Sequence, residues 1–152
     1  MSTMRLDFVS QDHMVFSCEV TEILAPGAEG QLGILPKHAP LMTILAPGEI
    51  LIKRQNDSDL SFAVSGGWME VRPDHVNILA RTAERSDEID LARAQAAKAR
   101  AEELLAAGVD RESRARLEMA LRRSQIRLRV GRRQKGWQGT TGPASDTTSR
   151  IE

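Results

Sequence analysis

Residues 60–71 read LSFAVSGGWMEV, and this stretch decides the fold. Apolar Leu60, Phe62 and Val64 occupy every second position. Because successive side chains of a β-strand point to opposite faces, this period of two predicts a strand with one buried face. The two predicted faces carry Leu60, Phe62 and Val64 on the buried side, and Ser61, Ala63 and Ser65 on the other.

The same period of two extends from about residue 5 to residue 81. Met14, Phe16, Cys18 and Val20 are predicted to share one face of another strand. Residues that favour turns separate the strands at short intervals, which is typical of a β-sandwich or barrel. The predicted turns lie at Pro26–Gly27, Pro47–Gly48, residues 56–59 and Pro73–Asp74.

A helical period replaces the strand period after Arg81. Ser86 and Asp87 offer side-chain oxygens that can cap a first helix, and Gly108 ends it. The break at residues 107–110 is short, so the two helices are predicted to form an antiparallel hairpin. The predicted apolar stripes are Ala92, Ala96, Ala99 and Leu104, flanked by Leu91 and Leu105, on the first helix, and Leu117, Ala120, Leu121 and Leu128 on the second.

The predicted fold class is therefore β + α, with an N-terminal antiparallel β-sandwich followed by a C-terminal two-helix hairpin. The predicted boundaries are residues 1–85 for the sandwich, 86–135 for the hairpin and 136–152 for a disordered tail rich in Gly, Ser and Thr. The amino terminus lacks the apolar core of a signal peptide, and the chain has no apolar run of about 18 residues. We therefore expect a soluble protein without direct membrane insertion.

Charge is distributed unevenly along a chain whose formal net charge is zero. Residues 1–85 carry seven basic and eleven acidic side chains, a net charge of −4, whereas residues 86–152 carry fourteen and ten, a net charge of +4. This asymmetry favours an acidic partner for the second part. Nucleic acid is not expected as a partner, because the few aromatic residues cannot form a platform on which bases stack.

The composition argues against catalysis and metal binding. Cys18 is the only cysteine, so a disulfide within the chain and a thiolate zinc site are both excluded. His13, His38 and His75 lie in separate predicted turns without the spacing of metal ligands. Because no nucleophile–base pair or paired carboxylates appear, the chain is not expected to be an enzyme, and no cofactor is required.

Three stretches resemble the epsilon-subunit family of F-type ATP synthases, whose mitochondrial equivalent is the delta subunit. They are residues 30–43 (GQLGILPKHAPLMT, followed by LAPG at 45–48), residues 63–71 (AVSGGWMEV) and residues 83–94 (AERSDEIDLARA). The resemblance covers roughly residues 5–135. Lys37 stands where the family commonly has Gly, and Trp68 where it commonly has Phe.

The resemblance implies a rotor subunit that catalyses nothing itself. It implies that the sandwich packs on the gamma subunit and the c-ring, helping to transmit rotation to the catalytic hexamer, and that the hairpin either folds on the sandwich or extends along gamma to inhibit ATP hydrolysis. With no transit peptide visible, the expected location is the cytoplasmic face of a bacterial inner membrane.

Candidate contacts with the c-ring are Glu29, Lys37 and His38, on a rim predicted from Glu29 to Pro40. Gly66 and Gly67 are expected to serve packing, with the gamma-facing surface as the functional alternative.

The hairpin carries a second implied site. IDLARA at residues 89–94 and ALRRSQIRL at residues 120–128 match the motifs with which some bacterial members bind ATP, so ATP is an expected regulatory ligand. Arginine side chains suit phosphate oxygens, and Glu84 could accept a hydrogen bond from adenine or ribose. The alternative is that the motif only caps a helix and forms an interhelical ion pair. The candidate nucleotide-binding residues are Glu84, Asp90, Arg93, Ala94, Arg123 and Arg127.

The second helix is strongly basic, with ten Lys or Arg and two Glu over residues 111–135. Such a run is commonly a solvated face. The resemblance implies docking on an acidic loop of a beta subunit of the synthase through Arg122, Arg129, Arg132 and Arg133. Two alternatives from other classes are a β-sandwich module that binds a small ligand and uses the basic hairpin for interaction, and a hairpin that binds nucleic acid.

Overall fold

Eight β-strands and two α-helices follow one another along residues 2–138, the part of the chain described by the computed structural model. A short 3-10 helix, Ser86–Glu88, joins the strands to the helices. The strands are β1 Met4–Ser10, β2 Met14–Val20, β3 Glu22–Gly27, β4 Gly30–Ile34, β5 Leu41–Lys53, β6 Leu60–Val71, β7 His75–Ala80 and β8 Ala83–Arg85; the helices are α1 Leu91–Ala106 and α2 Arg111–Gln138.

The strands form a sandwich because β5 and β6 are long enough to contribute to both layers. The strand order is β2-β1-β7-β6-β5-β3-β4, and β8 pairs with β6. Residues 67–71 of β6 pair with β7, whereas residues 62–64 pair with β8. Phe8 and Phe62 meet between the layers with ring centroids 5.0 Å apart. The predicted fold class is confirmed, with one parallel strand pair, β1 and β7, that the pattern did not predict.

Three details of the predicted strands are wrong. Pro26–Gly27 is not a turn but the end of β3, where it pairs with Gln31 and Gly30 of β4. Pro47–Gly48 is not a turn between strands but lies inside β5, opposite Ser65 and Val64 of β6. Met14 does not share the buried face of Phe16 and Val20, because an irregularity in the β1–β2 pairing shifts the alternation, and Met14 is 57% exposed. An extra residue in one strand reverses the face of everything beyond it.

The inner faces of both layers form one apolar core. The predicted buried faces of β6 and β7 are confirmed: Phe62, Val64 and Ile78 are at most 3% exposed. Burial of these aliphatic and aromatic side chains is the main force that holds the layers together. The largest fully buried side chains are Phe8, Phe62, Met4, Leu6, Ile23, Ile34, Ile50, Ile52, Met69, Ile78, Val20 and Val71.

The first helix begins later than the predicted caps. Asp90, not Ser86 or Asp87, caps α1, and its carboxylate accepts a hydrogen bond from the Arg93 backbone N–H at 3.1 Å. At the other end the Gly108 N–H donates to the Leu105 carbonyl, and Gly108 adopts φ 81°, a conformation that suits glycine after a helix. The antiparallel turn to α2 lies where the sequence predicted it.

The apolar stripe of α1 is rotated from its predicted position. Ala92, Ala96 and Ala99 are exposed, and Leu104 is 40% exposed. The residues that face α2 instead recur at spacings of 3 and 4, and they include a lysine whose aliphatic part covers apolar neighbours. They are Leu91, Ala94, Lys98, Ala101 and Leu105. On α2 the predicted Leu128 is buried and Leu117, Ala120 and Leu121 are half-buried.

The hairpin packs on the outer face of the sandwich. Ala63, predicted on the outer face of β6, is 6% exposed because Ile126 and Val130 of α2 cover it. Gly131 allows a close approach to the segment that leads into α1, since a Cβ at this position would lie 2.7 Å from Leu91 Cδ2. The contact between the two domains is therefore small and apolar at its centre.

No helix within residues 2–138 combines the length and the hydropathy that crossing a membrane requires. The helix α2 continues to Gln138, three residues past the predicted end of the hairpin. The remainder of the predicted tail, residues 139–152, lies outside the described residues.

Candidate functional site

An apolar row crosses the outer face of the layer that β2, β1, β7 and parts of β6 and β5 form. Strand register places Ile44 of β5 beside Trp68 of β6, Trp68 beside Leu79 of β7, Leu79 beside Val9 of β1, and Val9 beside Met14 of β2. Trp68 is 53% exposed and Leu79 is 48% exposed. Five strands span four strand spacings, so the apolar row is about 19 Å long. A continuous exposed apolar surface of this kind is typical of a protein–protein contact.

A polar row borders the apolar row on one side. Glu70 of β6 lies beside Asn77 of β7, and Asn77 lies beside Asp7 of β1. The Ser17 hydroxyl and then the His75 ring donate hydrogen bonds to the Asp7 carboxylate and lower its pKa, so this carboxylate stays ionised. An apolar strip with a charged edge matches the anatomy of interfaces, in which polar groups surround the buried centre.

The predicted rim from Glu29 to Pro40 consists of two loops joined by β4. Glu29 lies in the turn between β3 and β4, whereas Lys37 and His38 lie in the loop between β4 and β5. The five residues of β4 separate the two loops by about 13 Å of extended chain. The three candidate c-ring contacts therefore come from two loops: Glu29 lines a cavity with Leu41 and Met42 at the start of β5, and the loop of Lys37 and His38 leads into that strand.

Lys37 holds a backbone conformation that explains why glycine is common at this position in the family. Its φ of 68° lies in the left-handed region, which costs a residue with a Cβ about 1–2 kcal/mol. The Lys37 N–H donates to the Pro73 carbonyl at 2.7 Å, and this bond ties the loop to the turn between β6 and β7. The side chain itself is exposed.

Replacing Lys37 with Gly is expected to raise the free energy of unfolding by about 1 kcal/mol, because glycine adopts positive φ without steric cost. Urea denaturation followed by circular dichroism measures the change. Lys37→Ala is the matched control, since it removes the charge but keeps the strained Cβ, and it should give no gain. Equal stability of the Gly and Ala variants would contradict the assignment of strain to the backbone.

The structure brings together only part of the predicted nucleotide-binding set. The Arg127 guanidinium donates two hydrogen bonds to Glu84, from Nε at 2.7 Å and from Nη2 at 3.0 Å. The bonds to Glu84, more than the nearby charge of Asp90, raise the pKa of Arg127. Glu84, Asp90 and Arg127 thus form an anion–cation cluster where β8, the start of α1 and α2 meet.

The other three candidate residues lie apart from this cluster. Ala94 is fully buried between the helices, whereas Arg93 and Arg123 are exposed. Gln95 and Arg132 form a hydrogen bond across the hairpin, which places Arg93 level with the far end of α2. Arg123 consequently lies at least six residues away from Arg93, about 9 Å along the hairpin.

The four arginines proposed to bind a beta subunit differ in their surroundings. Arg122 and Arg129 are exposed, and Arg132 donates to Gln95 at 3.3 Å. Arg133 instead donates to Glu49 of β5 at 3.0 Å, although its own side chain is 64% exposed. In the folded hairpin Arg133 is therefore already paired with the sandwich.

Sequence reasoning missed two of these features. The apolar row was represented only by Trp68, because its members come from five strands and only strand register aligns them. Glu49 was not singled out either, although a carboxylate between apolar Gly48 and Ile50 in a predicted strand is a visible signal of an outward-facing charge. Among the described residues no group of three His, Cys, Asp or Glu side chains is arranged to hold a metal ion.

Two family models match nearly the whole described chain. Residues 3–86 match the ATP synthase delta/epsilon chain β-sandwich domain, and residues 87–131 match the long α-helix domain of the same chain. An ATP synthase epsilon chain of Herpetosiphon aurantiacus is 46% identical over 128 residues, which are 84% of this chain and 93% of the relative. One of Dehalococcoides mccartyi is 47% identical over 136 residues, which are 89% and 96%.

Solved structures agree with these matches. A chain in the cryo-EM structure of the Euglena gracilis mitochondrial ATP synthase, an OSCP/F1/c-ring assembly, superimposes with a TM-score of 0.74 at 25% identity and covers 82% of this chain and 78% of its own length. A chain of the central stalk and c-ring of the Tetrahymena thermophila mitochondrial ATP synthase gives a TM-score of 0.50 at 21% identity, over 58% of this chain and 70% of its own, a likeness of fold.

Proposed function

Because the chain belongs to the ATP synthase delta/epsilon chain family, we propose that its sandwich binds the gamma subunit through the apolar row and that its hairpin regulates the enzyme. The chain is a non-catalytic central-stalk subunit of an F-type ATP synthase. Its place is peripheral, and we propose the cytoplasmic face of a bacterial inner membrane, since the relatives named above are bacterial.

The apolar row is the observation that carries the gamma assignment. With the hairpin folded on the sandwich, Ile44, Trp68 and Leu79 are still 48–53% exposed, although Met119 of α2 lines the same cavity as these three side chains. Its members include Trp and Met, residue types that are enriched at protein–protein interfaces. A rotor subunit must bind firmly to transmit torque, and a row anchored by one large aromatic side chain provides such a contact.

Proton pumping tests the coupling role. ATP synthase assembled without this chain and reconstituted into vesicles should hydrolyse ATP without driving proton uptake, and the added chain should restore uptake. Fluorescence quenching of a ΔpH-sensitive dye measures that uptake. Equal proton uptake with and without the chain would overturn the coupling role.

Binding to the c-ring is proposed through one of two loops. Glu29 lies in the loop before β4, and Lys37 and His38 lie in the loop after it, so the two loops can be tested separately. His38 Nδ1 donates to the Ala39 carbonyl at 2.7 Å, which fixes the ring of this half-buried side chain. Loss of c-ring binding on charge reversal at Glu29 or at Lys37 identifies the loop.

A second proposed function is ATP binding at the cluster of Glu84, Asp90 and Arg127. The Arg127 guanidinium is half-buried and held by two hydrogen bonds, so it is oriented for a planar anion. A phosphate oxygen would take the same two donors that the carboxylate takes now. No cofactor is needed for the coupling role, and ATP enters only as a regulatory ligand.

Combined replacement of Arg123 and Arg127 by Ala is expected to abolish any ATP-dependent rise in melting temperature, because Arg127 is the proposed phosphate contact of the cluster and Arg123, four residues earlier on α2, is the nearest other candidate arginine on that helix. At a ligand concentration of 100 Kd, the unaltered chain should gain about 2.7 kcal/mol. Arg111→Ala, an exposed change at the first residue of α2, is the control and should leave the shift intact. An undiminished shift in the double variant would place ATP elsewhere or reduce the motif to a structural role.

A further inference from the structure

Three outward-facing side chains of the sandwich stand in one line beneath α2. Strand register places Glu49 of β5 beside Ala63 of β6, and Ala63 beside Glu84 of β8. We call this line the hairpin seat. Its middle member is small and its two outer members are carboxylates, so a helix that runs along this line can lie close to the sheet with a negative charge at each end of the contact.

The helix that lies on the hairpin seat repeats the pattern with opposite charge. Arg127 binds Glu84, and Ile126 and Val130 cover Ala63. Arg133 binds Glu49 with an N–O distance of 2.9 Å. Along α2, the residues Arg127, Val130 and Arg133 follow one another in the same order as their partners Glu84, Ala63 and Glu49 across the strands.

The spacings of the two elements agree as well. Glu49 and Glu84 are two strand spacings apart, about 9.6 Å. Arg127 and Arg133 are six helical residues apart, about 9 Å. Both ion pairs can therefore form at once without bending either element, whereas a shift of α2 by one turn would break both.

The Glu49 carboxylate is held in position on the sheet, where Arg133 can reach it. Its side chain is only 10% exposed, and the Ser61 hydroxyl donates to Glu49 Oε1 at 2.7 Å. If the hairpin lifts, Glu49 loses its cationic partner while it remains flanked by the sheet. Removal of either carboxylate would leave its arginine without a counter-ion in the folded hairpin, so each ion pair affects how often the hairpin stays folded.

We propose that the hairpin seat is a latch, in which the carboxylates of Glu49 and Glu84 hold α2 on the sandwich without any nucleotide. Glu84 then competes with phosphate for Arg127 rather than contacting adenine or ribose. Glu49 competes in the same way with an acidic partner for Arg133. The consequence for regulation rests on the proposed function; the latch itself is a property of the isolated chain.

The test measures the distance between the two domains in the full-length chain. Spin labels at Gln55→Cys, in the loop between β5 and β6, and Ala99→Cys, on the exposed face of α1, report hairpin opening in a Cys18→Ser background. Pulsed electron paramagnetic resonance gives the populations of short and long distances. Glu49→Gln and Glu84→Gln keep the side-chain shape and remove one charge each.

Each single replacement is expected to raise the ratio of open to folded hairpins about five-fold, and the double replacement by more. Glu22→Gln is the control, because it removes an ion pair with Lys53 that lies within the sandwich. Exchanging the charges, with Glu49→Arg and Arg133→Glu together, should restore the folded population lost in either single variant.

An unchanged distance distribution in the Glu49→Gln and Glu84→Gln double variant would overturn the latch, whatever the chain does in the synthase. A failure of the proposed regulation would give a different experimental result from a failure of the latch. In that case the hairpin opens in the double variant, but ATP hydrolysis by the assembled enzyme is no more inhibited than with the unaltered chain, and the latch stands.

Discussion

Gly67→Ala is expected to destabilise the sandwich by about 4 kcal/mol or more, the largest stability effect of any conservative change in the chain. Gly67 has φ 152°, and a Cβ added to it would lie 2.0 Å from the Leu79 carbonyl oxygen and 2.8 Å from Ala80 Cα. Both obstacles are backbone atoms of the neighbouring strand, so no rotation of a side chain can relieve the overlap. The pairing of β6 with β7 would have to open.

Urea denaturation followed by circular dichroism measures this loss. Gly33→Ala is the matched control, because Gly33 also lies in a strand but its added Cβ would make only an ordinary contact, 3.5 Å from Leu24 Cδ2. Its stability should change by less than about 1 kcal/mol. A Gly67→Ala chain as stable as the Gly33→Ala chain would show that the strands can separate at little cost.

The Gly67→Ala replacement is also expected to affect binding to gamma, because Gly67 positions the neighbouring Trp68. Gly67 precedes Trp68, and the pairing of Gly67 with Ala80 sets Trp68 beside Leu79 in the apolar row. The packing role predicted for this glycine and the gamma-facing surface proposed as its alternative are therefore linked, because the close approach of β7 aligns the surface.

Trp68→Asp is expected to weaken binding to the gamma subunit at least 100-fold, the largest binding effect we predict. Trp68 is the second of the five members of the apolar row and its one aromatic side chain, and truncation of an aromatic anchor commonly costs about 2–4 kcal/mol. A carboxylate adds the cost of burying a charge without a partner. Titration calorimetry with the purified gamma subunit measures the dissociation constant.

Val109→Asp is the matched control for this change. Val109 is also an exposed apolar residue, 37% accessible, but it lies in the turn between the helices, far along the chain from the apolar row. Its replacement should leave gamma binding within about two-fold of the unaltered value. A Trp68→Asp chain that binds as tightly as the Val109→Asp chain would remove the apolar row from the interface.

Local sequence patterns correctly predicted the features that a few neighbouring residues determine, such as the buried face of a strand and the end of a helix. Alternation at Leu60, Phe62 and Val64 predicted a buried strand face, and Gly108 predicted the end of α1. Both signals depend on a few neighbouring residues, and the surrounding structure has no competing preference. The boundaries of the two α-helices were less well predicted, because α1 begins five residues after Ser86 and α2 extends beyond residue 135.

The rotation of the α1 stripe shows where pattern reasoning fails. Seven alanines lie between Leu91 and Ala107, so several stripes of small residues can be drawn on this helix. Only contact with α2 selects Ala94 and Ala101 over Ala92, Ala96 and Ala99. Lys98 is half-buried in the same stripe, which an assignment from hydropathy alone would not predict.

The interaction surfaces depend on register between strands that are distant in the chain. The apolar row joins Val9 to Ile44, and the hairpin seat joins Glu49 to Glu84. The sequence alone does not show that these residues are neighbours in the folded chain. The resemblance to the family indicated Glu84 and Arg127 as ligands of ATP, whereas the geometry pairs them with each other.

Site-specific photo-cross-linking tests the central claim most directly. A photoreactive amino acid placed at position 68, within the assembled ATP synthase, should form an adduct with the gamma subunit, and the same residue at position 109 should not. An adduct at position 68 with a subunit other than gamma, or none in an enzyme that pumps protons normally, would contradict the assignment of the apolar row to gamma.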